Sequence, residues 1–197
     1  MIDLRRTTPP VVLNLIIINM LSLMATYLFP QVEYLFGLRS FESDYFRLYQ
    51  VITYMFLHAD FSHLFFNMFA LWMFGRQLEY DLGSQKFLTY YMVCGIGAGL
   101  IQLAVSLVEP YSVTVGASGS VFGLLLAYGV LHPNNIIMLL IPPIPIKAKW
   151  FVVIYGALEL FMGIRGVGNV AHFAHLGGMI WGFGLLYYWK FIGRIRF

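Results

Sequence analysis

The sequence predicts an all-α membrane protein, a bundle of six membrane-crossing helices with a long first loop lying in the membrane interface. Three observations predict it. Hydrophobic residues make up 60% of the 197-residue chain and charged residues only 11%, with a mean hydropathy of +0.77, whereas a water-facing domain runs at about 45–50% and about 25%. Charge-free windows of the length that crosses ~30 Å of hydrocarbon recur along the chain. Lysine and arginine collect on alternate connections between those windows, as cytoplasmic loops do.

Each span has its own justification. The first, about residues 11–29, follows Arg5 and Arg6 and carries no charge. Met24-Ala25-Thr26-Tyr27 stands where a cleaved signal peptide would show small residues, so this segment reads as an uncleaved span. Residues 30–60 form the long loop, rich in Phe, Tyr and Leu, including Tyr34-Leu35-Phe36 and Tyr45-Phe46-Arg47-Leu48-Tyr49. Aromatics in that density suit headgroup depth. The second span, about 61–80, carries Arg76 near its end, and the third, about 87–108, is charge-free. A fourth, about 117–132, is bounded by Pro133-Asn134-Asn135 and by Pro142-Pro143-Ile144-Pro145, because proline removes a donor and clashes with the preceding turn. The fifth, about 150–164, is short and carries Glu159; the sixth is about 170–189. Neither a repeat nor a soluble segment interrupts them, so residues 1–197 read as one domain.

With both termini in the cytoplasm, nine basic residues (Arg5, Arg6, Arg76, Lys86, Lys147, Lys149, Lys190, Arg194 and Arg196) fall inside and three (Arg39, Arg47 and Arg165) outside. The formal charge of +3 gives no reason to expect nucleic acid, and the single Cys94 excludes a disulfide framework and a cysteine-rich metal site. Glu79, near the Gly83-Ser84 turn, is expected to cap the loop into the third span.

Polar groups inside spans are costly and mark functional sites. Here they are few: His63 and Asn67 one helical turn apart, Ser118 within Gly116-Ala117-Ser118-Gly119, and His172 and His175 on the sixth span. Each alone reads equally well as glue between helices. Together they offer a serine nucleophile, a histidine base and donors for an oxyanion. Small residues at Gly119 and Gly123, and at Ala174, Gly178 and Gly182, form stripes that let two helices approach closely. No carboxylate stands beside either sixth-span histidine in sequence, so a Ser-His dyad without a third member is expected, with no metal and no cofactor. A zinc protease would need H-E-x-x-H, which is absent.

His63-Leu64-Phe65-Phe66-Asn67, Gly116-Ala117-Ser118-Gly119 and Ala174-His175-Leu176-Gly177-Gly178 with Gly182 resemble the motifs of the rhomboid intramembrane serine proteases, in the family's order. The resemblance implies the six-helix rhomboid bundle and cleavage of transmembrane segments of single-pass proteins within the lipid bilayer. It implies Ser118 as nucleophile, His175 as base, and His63, Asn67 and the Ser118 amide as oxyanion hole. Gly116, Gly119, Gly178 and Phe122 support them. Phe46-Arg47 stands where many members have Trp-Arg, and Phe122 where many have tyrosine. A non-catalytic binder of transmembrane helices is the rival reading; such a protein would be expected to lack the serine or the histidine. No obligatory protein partner is evident, and the lack of a transit peptide points to a bacterial cytoplasmic membrane.

Helical arithmetic separates the two histidines. At about 100° per residue, His175 projects about 60° from the centre of the Ala174, Gly178 and Gly182 stripe and His172 about 120°. His175 therefore takes the base role, and His172 a supporting or interfacial one nearer the outer water layer.

Overall fold

The computed structural model describes residues 8–108, 113–139, 143–166 and 171–195. Arg5, Arg6, Arg196, Pro142 and the first residue expected in the sixth span, 170, lie outside them.

Helix α1 is Pro10–Leu28, opened by a proline at a position whose N–H has no helical partner anyway. Its buried residues are Val12, Leu15, Asn19 and Leu23, a single stripe. Outside that stripe Ile17, Ile18, Met20, Leu21 and Met24 are exposed, so the outer surface is as apolar as the inner one. Helix α2 (Gln31–Phe36), strand β1 (Leu38–Arg39), helix α3 (Gln50–Thr53) and a 3-10 turn (Tyr54–Phe56) make up the first loop. Gln50, fully buried, fastens it: its Nε2 donates to the Leu35 and Tyr45 carbonyls at 3.0 and 3.1 Å, and its Oε1 accepts from the Arg47 amide at 3.2 Å. The Arg39 guanidinium lies 4.3 Å from the Tyr34 ring centre.

Helix α4 (Phe61–Ala70) runs through a π turn (Leu71–Gly75) into α5 (Arg76–Leu82) without a break. Gly83, at φ 79°, turns the chain into α6 (Ser84–Val105). Glu79 does more than close that turn. Its Oε1 accepts from Ser84 Oγ at 2.7 Å and from the Val11 amide at 3.0 Å, and its Oε2 accepts from the Val12 amide at 2.8 Å. The carboxylate thus satisfies amides at the start of α1 that have no partner within the helix.

Helix α6 is the most enclosed of the long helices, with Phe87, Tyr90, Tyr91, Cys94 and Ala98 fully buried, while Leu88 and Leu100 face outward. Against it pack α7 (Ser118–Leu131) and α9 (His172–Phe191), and α8 (Ala148–Arg165) leans on both of these. By length and composition α1 and α6 are long and apolar enough to cross a membrane, and α7 is a shorter apolar helix.

The all-α expectation overlooks two short antiparallel ladders. Strand β1 pairs with β2 (Val113–Thr114), with Leu38 opposite Thr114, which ties the first loop to the segment leading into α7. Strands β3 (Ile136–Met138) and β4 (Pro145–Lys147) pair where the prolines predict only a break. Proline suits the end of such an edge ladder, where its missing donor costs nothing.

Candidate active site

Ser118 is the first residue of α7, and the residues before it explain its position. The Gly116 amide donates to the Tyr54 carbonyl at 3.0 Å, anchoring the segment to the 3-10 turn. Gly116 has φ 131°, and a Cβ there would come within 2.9 Å of His63 Cε1 and Nε2. Only glycine combines that backbone with that contact, so the His63 imidazole lies flush against the chain two residues before the serine. At a helix start, the free amides and the positive end of the helix dipole face the hydroxyl.

His175 Nε2 is 2.8 Å from Ser118 Oγ. The ring stacks on Phe122, with centres 4.2 Å apart and planes 8° apart, so the aromatic face holds the imidazole even without a tyrosine hydroxyl. The helices that carry the pair meet at their glycines. A Cβ on Gly178 would overlap the Gly119 carbonyl, and one on Gly123 would come within 3.1 Å of the Gly178 carbonyl.

His63 sits in the first turn of α4, which Asp60 caps: its Oδ1 accepts from the His63 amide at 2.8 Å and from Ser62 Oγ at 2.6 Å. Those bonds hold the Asp60 carboxyl below its usual range. Asn67, buried, donates from Nδ2 to the His63 carbonyl at 2.9 Å. His58, just ahead of α4, is buried edge-on to His63 with ring centres 5.0 Å apart. Burial, reinforced by the His63 ring, pushes His58 down to about 3. Ser118, His175, His63, Asn67, Phe122 and Tyr155 line one cavity of about 1320 Å³, bounded by α4 and the π turn on one side and α8 on the other.

One expectation needs correcting. A carboxylate does stand beside both histidines: Glu159 Oε2 lies 3.0 Å from His175 Nδ1 and 2.7 Å from His172 Nδ1. It comes from α8, 13 and 16 residues upstream of the two histidines, so adjacency in sequence gives no hint of it. His172 is buried, at 7% exposure, which fits the supporting role among the two expected for it. Among the described residues these three form a group of His, Cys, Asp or Glu whose ligand atoms all lie within 4.8 Å of one another. The shared oxygen and the 2.7 and 3.0 Å separations fit hydrogen bonds; ligands around a tetrahedral zinc at ~2.0–2.1 Å stand farther apart.

A family model of the Rhomboid domain matches residues 45–192. Among curated relatives, Rhomboid protein 1, mitochondrial, of Saccharomyces cerevisiae is 34% identical over 146 residues, covering 71% of this chain and 40% of that protein. Rhomboid-like protein 11, chloroplastic, of Arabidopsis thaliana is 32% identical over 147 residues, covering 71% of this chain and 51% of its own length. Rhomboid protease GluP of Bacillus subtilis is 34% identical over 135 residues, covering 68% and 25% respectively. The chain therefore spans between a quarter and about half of the length of these relatives.

Proposed function

The chain belongs to the rhomboid family of integral membrane proteins, and from that premise we propose that it is an intramembrane serine endopeptidase that cleaves transmembrane segments of single-pass proteins. In this reading residues 1–197 form one rhomboid domain. Helices α1, α4 with α5, α6, α7, α8 and α9 are its six spans, and both termini face the cytoplasm of a bacterial cell.

The observation that carries the reading is the 2.8 Å bond between Ser118 Oγ and His175 Nε2 inside a cavity that His63 and Asn67 also line. The chemistry follows from it. Ser118 Oγ attacks the scissile carbonyl carbon while its proton passes to His175 Nε2. The carbonyl oxygen becomes an oxyanion, met by the Ser118 amide, the His63 imidazole and the Asn67 side chain. Collapse breaks the C–N bond, and the leaving amine takes the proton from His175. A water then repeats the sequence on the acyl ester, releasing the new carboxyl end and restoring Ser118. The acyl group passes to Ser118 and then to water while protons pass through His175, with no change of oxidation state, so the chemistry calls for no redox cofactor. A peptide bond within a helix is shielded by its own hydrogen bonds, so substrates with small or helix-breaking residues near the cut are preferred.

A serine-reactive fluorophosphonate probe on the detergent-solubilised protein tests the reading, together with cleavage of a single-pass reporter. Wild-type protein labels and cleaves, and Ser118→Ala does neither while its melting temperature is unchanged. Cleavage that survives in Ser118→Ala sinks the serine-protease reading; binding of the reporter without cleavage by the wild type favours a non-catalytic binder.

A further inference from the structure

We propose that Glu159 is a positioning residue for the His175 base, so that the site works as a Ser118–His175–Glu159 chain whose carboxylate is itself held by His172. The inference rests on the protease reading and concerns what orients its base. Glu159, His172 and His175 are 6%, 7% and 8% exposed, on two neighbouring helices of a chain whose outer surface is apolar. An ionisable group in a membrane segment is expensive and is retained for a role.

The hydrogen-bond roles follow from the chemistry of the groups. An ionised carboxylate only accepts. The 3.0 Å contact from Glu159 Oε2 therefore makes His175 Nδ1 the donor, which leaves the Nε2 lone pair directed at Ser118 Oγ 2.8 Å away. A neutral imidazole lacking an acceptor at Nδ1 populates both tautomers, and the Nε2–H form cannot take the serine proton. When the proton arrives at Nε2, positive charge develops on a ring already bonded to a carboxylate. Low-dielectric surroundings strengthen that attraction relative to water.

His172 completes the arrangement. Its Nδ1 donates to the same Oε2 at 2.7 Å, so the carboxylate is gripped from a second direction and cannot swing away from His175. Phe122 holds the face of the ring, and Glu159 holds its edge and its tautomer. A purely structural alternative is that two hydrogen bonds fasten α8 to α9, with no bearing on the proton.

Steady-state kinetics on a reporter substrate in liposomes, with melting temperatures, distinguish these for wild type, Ser118→Ala, Glu159→Gln and Glu159→Asp. Removing the carboxylate should lower kcat by up to ~10⁴-fold, the loss that follows the same carboxylate-to-amide change in soluble serine proteases, and leave KM within about threefold. Glu159→Asp, which keeps the charge but draws it back by one methylene, should recover part of the loss. A kcat in Glu159→Gln within about threefold of wild type, with a lower melting temperature, would mean that Glu159 only fastens helices and overturns the inference while leaving the protease reading intact. Should Glu159→Gln fail to fold, Glu159→Asp decides: a kcat lowered by about tenfold or more at constant KM supports the inference, and an unchanged kcat overturns it. Absence of Ser118-dependent cleavage in the wild type removes the reading and the inference together.

Discussion

Gly178 of α9 lies against the Gly119 carbonyl of α7 so closely that a single added methyl has no room. Those helices carry His175 and Ser118, so this contact fixes how far a short hydroxyl must reach. Gly178→Ala should push the helices apart, costing about 1–3 kcal/mol of stability and most of the cleavage. Gly184→Ala, on the same helix but with nothing within 4 Å of an added Cβ, is the control and should be neutral in both. Equal effects of the two substitutions on melting temperature would contradict the packing argument.

His63→Ala and Asn67→Ala should each lower turnover more than substrate binding, by ~10²–10³-fold, as loss of one oxyanion donor does. The measurement is kcat per folded molecule. If these side chains were only glue between helices, melting temperature would fall and kcat would not.

His175→Ala should be as inactive as Ser118→Ala, whereas His172→Ala should keep measurable cleavage, because in the proposed arrangement His175 meets Ser118 directly and His172 acts through the Glu159 oxygen that both share. The opposite ranking would show that the wrong histidine of α9 has been given the base role.

His58 predicts how stability responds to acid. In the unfolded chain it takes up a proton near its ordinary value of 6.5, but in the folded protein only near about 3. Between those values the unfolded state binds more protons, so stability falls as pH drops. At pH 5 this one group accounts for about 2 kcal/mol. Melting curves from pH 7.5 to 5 should therefore slope less steeply in His58→Phe than in the wild type; parallel slopes would rule His58 out as their source.

The sequence makes legible what depends on local composition and spacing. Charge-free windows mark the helices because hydrocarbon excludes charge. Proline and glycine mark their ends, and His63 with Asn67 shows one face of one helix. The Gly119 and Gly178 stripes also announce which helices touch. What remains hidden is tertiary. Glu159 reads as a stray acid on a short span because its partners lie 13 and 16 residues away on another helix, and no periodicity encodes that contact. The β3–β4 ladder is hidden because proline signals a break without saying whether the flanking chain pairs. The π turn at Leu71–Gly75 has no signal in residue type, since its apolar sequence fits an ordinary helix equally well.

The carboxylate at Glu79 bears on how the chain is assembled. The amides it satisfies at Val11 and Val12 precede it by 68 and 67 residues. During synthesis, the first helix emerges long before its cap exists, and that end must rely on water or lipid headgroups until residues 79 and 84 follow. Closure of the α1 terminus is therefore a late event that couples the first helix to the turn between α5 and α6. A nascent chain stopped before Glu79 would hold its first helix by the bilayer alone.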